Sequence, residues 1–500
     1  MELKPNLNIY FYQYIASVRL KKQLRQQVII LSSLCNIAAF KIFYGLSHAY
    51  IFAAMKKNAL TLICISVSAL VQAQSVKSDS TKKWTNHFQL TVIAQKHSAF
   101  PSRYSGKNSL ADTAEPTATS MTSTLFLGRR LWKNAAIYFN PEVSGGKGLS
   151  FATGVAGALN GETYRVGAAE PQVFIARAYL QQYFPLGNTS YEYVEDDAGK
   201  IAGKVPASRI TISLGKFAVS DFFDNNAYSK DPRSQFFNWS MWANGAWDYP
   251  ADTRGYTKGI VVELIKPTWA IKASTVAVPR VANSPLLEYK ITKAHSETAE
   301  FDHTLSLNKR PGNIRLLLSN TYSKAPSYAA GMKALITNNK YELDVISGNA
   351  ENNEYGGKKF GAGLNADQEL TNDIGVFARA GWNDGRYATW AFTEIDRTIN
   401  AGLSIKGTKW KRENDFWAIG VVANGLSEGH KKFLKAGGTG FIIGDGFLNY
   451  GHEAILETYY NANLSDFLWL TFDYQFVKNP GYNKDRGPVH VFGVRGHVEF

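Results

Sequence analysis

Residues Val489 to Phe500 read VHVFGVRGHVEF. In an extended chain His490, Phe492, Val494, Gly496, Val498 and Phe500 share one face, and Val489, Val491, Gly493, Arg495, His497 and Glu499 share the other. The first face is apolar and ends on an aromatic; the second carries Arg495, His497 and Glu499. Such a strand suits a transmembrane barrel, with apolar side chains in lipid and polar ones in a wet lumen. A soluble β-sandwich alternates too, so the reading depends on how often the pattern recurs.

It recurs throughout. Ile210, Ile212 and Leu214 alternate with Arg209, Thr211 and Ser213. Ile374, Val376, Ala378, Ala380 and Trp382 alternate with Gly375, Phe377, Arg379, Gly381 and Asn383. Leu470, Phe472, Tyr474 and Phe476 alternate with Thr471, Asp473 and Gln475. The same rhythm predicts strands at 256–264, 269–275, 314–322, 340–346, 400–406, 417–424 and 453–461. Aromatics sit near many strand ends, and Gly145-Gly146, Asn338-Asn339, Gly356-Gly357 and Gly437-Gly438 mark reversals. An open sheet edge in lipid would leave peptide groups unpaired, so the sheet must close. The predicted fold is all-β: a closed antiparallel transmembrane β-barrel of about 16 strands.

The front of the chain reads differently. Met55-Lys56-Lys57, the apolar run Ala59 to Val71 and Val71-Gln72-Ala73 make a secretory signal peptide at 55–73. Residues 1–54 are read as an upstream extension from a start codon placed too early, with Met55 as the alternative start, and 74–500 as one β-barrel domain. Without residues 1–73 the chain has 47 Lys/Arg against 40 Asp/Glu, a formal charge of +7 in place of +14. That removes most support for a nucleic-acid partner. Both cysteines, Cys35 and Cys64, leave with the front segment, so neither a disulfide scaffold nor a thiolate metal site is expected. Aromatics at 13% and charged residues at 19% exclude a disordered chain.

Three stretches resemble the carbohydrate-selective outer-membrane porins of the OprB type. They are Thr91–Leu110 (TVIAQKHSAFPSRYSGKNSL), Ser213–Thr257 (SLGKFAVSDFFDNNAYSKDPRSQFFNWSMWANGAWDYPADTRGYT) and Gln475–Phe500. The resemblance implies a 16-stranded outer-membrane barrel that passes sugars by passive diffusion, in a Gram-negative-type bacterium. Residues 281–360 and 384–415 carry no part of it. Phe500 at the end of an alternating strand also resembles the recognition signal read by the barrel-assembly machinery.

Residues 217–256 break the alternation, and long irregular segments in compact domains are usually functional. Carboxylates, amides and guanidinium groups stand there among tryptophans, the mixture that meets both hydroxyls and apolar C–H faces of a sugar. The segment is expected to fold into or over the lumen as a constriction. Its candidate residues are Asp224, Asp231, Arg233, Asn238, Trp239, Trp247, Asp248, Asp252 and Arg254, with Arg177, Arg379, Asp473 and Arg495 on the pore wall. The competing use of the same residues is structural: salt bridges bracing loop to wall, and tryptophans in the lipid girdle.

No catalytic motif stands in a convincing context, and no catalytic residue, metal or cofactor is assigned. The expected partners are mono- or oligosaccharides and outer-membrane lipid, the barrel being a homotrimer or a monomer. The alternatives are a barrel enzyme, for which no nucleophile–base cluster can be assembled, and a secreted soluble all-β carbohydrate-binding or carbohydrate-cleaving protein. Mass spectrometry of the exported protein should find Gln74 at its N-terminus; an N-terminus upstream of Met55 would refute the signal assignment.

Overall fold

The computed structural model describes residues 82–163 and 168–500. The expected upstream extension 1–54 and the expected signal peptide 55–73 lie outside the described residues. The strands, in chain order, begin with β1 (Trp84–His97), β2 (Ala118–Arg130), β3 (Ala135–Gly146), β4 (Gln172–Pro185), β5 (Tyr191–Val194) and β6 (Gly203–Pro206). They continue with β7 (Arg209–Phe217), β8 (Thr257–Lys266), β9 (Trp269–Val276), β10 (His295–Leu307), β11 (Arg310–Ser323) and β12 (Gly357–Glu369). The last six are β13 (Ile374–Asn383), β14 (Arg397–Gly407), β15 (Arg412–Gly425), β16 (Glu453–Ser465), β17 (Leu468–Lys478) and β18 (Val489–Glu499). β5 and β6 form a separate hairpin; the other sixteen make a closed antiparallel barrel in which β18 pairs with β1. Closure runs in register from Gln89 opposite Glu499 to His97 opposite Val491. Phe500 completes it: its N–H donates to Phe88 O at 3.1 Å and its C=O accepts from Phe88 N at 2.8 Å.

The faces of the strands follow the alternation. Phe492 is 58% and Leu214 55% exposed, both pointing outward, whereas the inward Arg495 is fully buried. Outward Trp84, Trp132, Trp382 and Trp410 stand near strand ends, where girdle aromatics belong. Among the described residues no helix is long and apolar enough to cross a membrane; the crossing is made by strands.

The two rims differ. At the rim that carries both Trp84 and Glu499 the turns are short, as at Asn308-Lys309, where both residues have positive φ (52° and 63°). The connection from β4 to β7 is longer and holds the β5–β6 hairpin. At the opposite rim eight long connections, from 98–117 round to 479–488, fold over and into the barrel.

One predicted strand is a helix. Lys340–Ile346 is the second of two short helices, after Tyr328–Thr337. Seven residues are too few to separate a period of two from one of 3.6, and local capping decides between them. The Asn339 side chain accepts from Glu342 N at 3.3 Å and starts the helix, and Asn338, with φ 52°, closes the one before it. The Asn338-Asn339 reversal is thus a helix boundary rather than a hairpin turn.

Leu364 lies mid-way along β12, faces outward, and pairs with Leu316 and Ala380. Leu364→Arg should lower unfolding free energy in lipid vesicles by about 2–4 kcal/mol, read by urea titration. A change near zero would mean that this face does not meet hydrocarbon.

Candidate pore and constriction

The segment 218–256 lies inside the barrel, and what holds it there is backbone chemistry. An irregular chain within a closed sheet has N–H groups that no strand can pair. Inward carboxylates supply the acceptors. Glu457 on β16 accepts from Phe237 N at 2.5 Å and Asn238 N at 3.1 Å. Asp224 accepts from Asn244 N at 2.8 Å and pairs with Arg379 on β13 at 3.0 Å. Asp248 reaches the loop between β13 and β14, accepting from Trp390, Ala391 and Phe392 N at 2.8, 3.0 and 2.8 Å. Glu453 does the same for the 147–171 connection through Ala156 N and Gly157 N at 2.9 and 2.7 Å.

Arginines complete the clamp. Arg233, 5% exposed, bridges Glu142 on β3 at 3.0 Å and Glu162 at 3.1 Å. Arg495 donates to Pro232 O and Gln235 O at 2.8 and 2.7 Å, its guanidinium 4.6 Å from the Phe237 ring centroid. Asn238 caps the turn Trp239–Trp242 and donates to Gln475 Oε1 at 3.2 Å. Asp231 accepts from Arg233 N at 2.9 Å, which makes Asp231-Pro232-Arg233 a tight turn. Asp473 accepts from Gln475 Nε2 at 3.1 Å in the same buried layer. Trp239 stacks on Phe392 at 5.9 Å and Trp247 meets Tyr249 edge-on at 5.6 Å. Both tryptophans are therefore packed within the barrel, away from the lipid girdle.

The wall makes room for this packing. A Cβ on Gly363 or Gly381 would collide with the Asn244 amide, and one on Gly375 with the Tyr228 ring. The alternation of β13 places Gly375 and Gly381 on the inner face, and there they are the trace of a packed partner.

Along β3 and β4 the packing is different. An open mouth of about 470 Å³ is lined by Gly146, Lys147, Ala168, Ala169 and Thr253, among others. A chamber of about 410 Å³ at the other end of the same two strands is lined by Tyr138, Asn140, Arg177, Tyr179 and Asp221, among others. Between them stand Arg254, whose guanidinium lies 4.3 Å from the Phe174 ring centroid and bonds Gln172, and Tyr256, whose hydroxyl donates to Glu142 at 3.0 Å. Arg177 and Asp221 form a two-pronged pair at 2.7 and 2.6 Å. Asp252 turns back on the backbone of Arg254 and Tyr256 at 2.9 and 3.1 Å. Burial lifts its carboxyl above the ordinary aspartate value, against the pull of Lys216 at 3.8 Å. The thirteen predicted residues thus fall in two groups: Asp252, Arg254 and Arg177 beside this strip, the other ten in the clamp and packed layer. Asp221 and Tyr256 lie within the irregular segment that the sequence singles out, whereas Phe174 on β4 and Glu142 on β3 were not predicted, since no local pattern ties them to it.

The sequence matches the model of the family described as carbohydrate-selective porin, OprB family, over residues 111–500. The chain belongs to this family. Thr91–Leu110, the first stretch of the resemblance, lies before the matched range. No curated protein matches the chain. The high-pH structure of Pseudomonas putida OprB is similar with a TM-score of 0.60 at 17% identity, over 84% of this chain and 94% of that one. The outer membrane channel DcaP of Acinetobacter baumannii has a TM-score of 0.45 at 10% identity, over 85% and 99%. The protein is an outer-membrane porin of Gram-negative type, and the reading as a secreted soluble β-protein is set aside.

Arg233→Ala would leave Glu142 and Glu162 without their shared guanidinium. Breaking a buried pair typically costs about 3–5 kcal/mol. The folded barrel should lose stability on that scale in urea titration, and its single-channel current should become noisier as the segment loosens. A quiet, equally stable variant would show that Arg233 does not hold the segment.

Proposed function

We propose that sugars cross this porin along the strip between β3–β4 and the inward segment, with Arg254, Phe174 and Asp252 at its narrow upper part and the Arg177–Asp221 pair below. One observation carries this reading: cavities of about 470 and 410 Å³ lie at opposite ends of the same two strands with aromatic and charged side chains between them, while Asp224, Asp248 and Arg495 hold the inward segment to the wall and the neighbouring loop. A sugar offers hydroxyls to the charged groups and a C–H face to Phe174, which offsets part of its lost hydration. Conduction requires that this hold stay weak. Asp224, Arg233, Asn238, Trp239, Trp247, Asp248, Arg379, Asp473 and Arg495 act in this scheme by holding the constriction in place. The family and fold are those of a channel, and no step of bond making or breaking enters the scheme.

The test is block of ion current by maltose-series oligosaccharides in planar bilayers. Arg254→Ala should raise the half-blocking concentration about tenfold, equivalent to about 1.4 kcal/mol. Trp247→Ala should act mainly on stability. If Arg254→Ala and Arg177→Ala leave block unchanged in a folded barrel, the route is wrong. Lowering pH should also turn ion selectivity toward anions, because the raised Asp252 carboxyl takes up its proton earlier than an ordinary aspartate. Asp252→Asn should remove that step from the reversal-potential curve.

A further inference from the structure

The connection between β4 and β7 is the one turn-rim connection, among the described residues, that carries a hairpin of its own. The hairpin lies under the barrel wall as a floor. Ile201 packs on Ala136 and Tyr138, and its C=O accepts from Arg130 at 3.0 Å. Glu192 on β5 pairs with Arg209 at 3.1 Å, and Asp196 pairs with Lys82 at 3.0 Å. Val194, Ile201 and Val205 face the chamber of about 410 Å³.

The chamber walls are unusual for space left beneath a turn. Tyr138 and Tyr179 stack at 5.0 Å with 25° between their planes. The Tyr183 hydroxyl donates to Gln181 Oε1 at 2.6 Å, and the Arg209 guanidinium lies 5.5 Å from the Tyr183 ring centroid. Tyr179, Gln181 and Tyr183 are alternate residues of β4, so one strand face presents ring, amide, ring. The Arg177–Asp221 pair stands at the same wall. Bare structural packing would fill such a space with apolar side chains. Here room of ligand-pocket size remains, typical pockets being about 300–1,000 Å³. Rings with polar groups between them match the alternation of C–H faces and hydroxyls on a pyranose.

We propose that this chamber is a carbohydrate-binding subsite at the turn rim, holding one mono- or disaccharide unit between the Arg177–Asp221 pair and the floor hairpin. It rests on the carbohydrate route described above and adds a second holding point to it. Two weak sites in series let a solute be passed on rather than trapped.

The test uses the full barrel in planar bilayers, with maltose or maltotriose added from one side at a time and blockade dwell times recorded. Tyr179→Leu with Tyr183→Leu should shorten dwell times for sugar added on the turn-rim side about tenfold. Gln181→Ala, which keeps the Tyr138–Tyr179 stack and removes the amide between the rings, should shorten them about threefold. Heat-modifiable mobility on gels checks that each variant is folded. Wild-type block from both sides with unchanged turn-side dwell times in Gln181→Ala and in the folded double variant overturns the chamber and leaves the constriction standing. A wild-type current indifferent to sugar from either side overturns both.

Discussion

A chain that folds irregularly inside a closed sheet must find partners for its own peptide groups, and in this protein inward carboxylates provide them. Glu457, Glu453 and Asp248 each accept two or more backbone N–H groups from segments that no strand ladder reaches. Glu394 repeats the device for Ile442 and Ile443, both at 2.8 Å. An unpaired buried N–H costs roughly 1–3 kcal/mol, so these few side chains decide where the interior chain can lie. Everything about the pore follows from that placement, since the free volume is whatever the placed chain leaves over.

The buried arginines act on the same problem from the other side. Arg379 and Arg495 donate to backbone carbonyls of 229–235 as well as to side chains. Buried pairs of this kind add little net stability over apolar packing, but they admit one geometry only. A porin needs that property, because a constriction that wanders has no fixed width. The outer rim uses it too: burial would raise the Asp396 carboxyl, but His430 at 3.1 Å, Lys359 and the Ser427 N–H together hold it at about 2 and join two outer loops. The barrel therefore divides its lumen unequally. The flank along β3 and β4 keeps open volume at both ends, and the opposite flank, where the inward segment meets β12 to β18, keeps a cavity of about 390 Å³ beside Ala227, Tyr228 and Gln235.

Much of the fold was legible because two solvents act on each strand. Lipid outside and a polar interior inside impose a period of two on every spanning segment, so Ile374–Asn383, Leu468–Lys478 and Val489–Glu499 can be read directly. Where that pressure stops, the signal fails. Lys340–Ile346 alternates by chance, lies among the outer loops, and is a helix because Asn339 caps it. In the segment 217–256 the composition pointed to a constriction, yet most of its charges turn inward to the wall. Composition could not separate the groups that clamp from the groups that border open space. Gly363, Gly375 and Gly381 carried the missing hint, since inner-face glycines in neighbouring strands leave room for a packed partner.

The sequence alone determined the closed barrel and its outward face, because these rest on a repeated local pattern that each strand carries by itself; the likeness to sugar porins rests on three separated stretches. Only the tertiary structure decided where open volume remains in the lumen. Arg254 meets Phe174, Tyr256 meets Glu142, and Arg177 meets Asp221 across separations of 44 to 114 residues. Contacts between such distant segments depend on strand register and loop packing, and neither is written in any one stretch of chain.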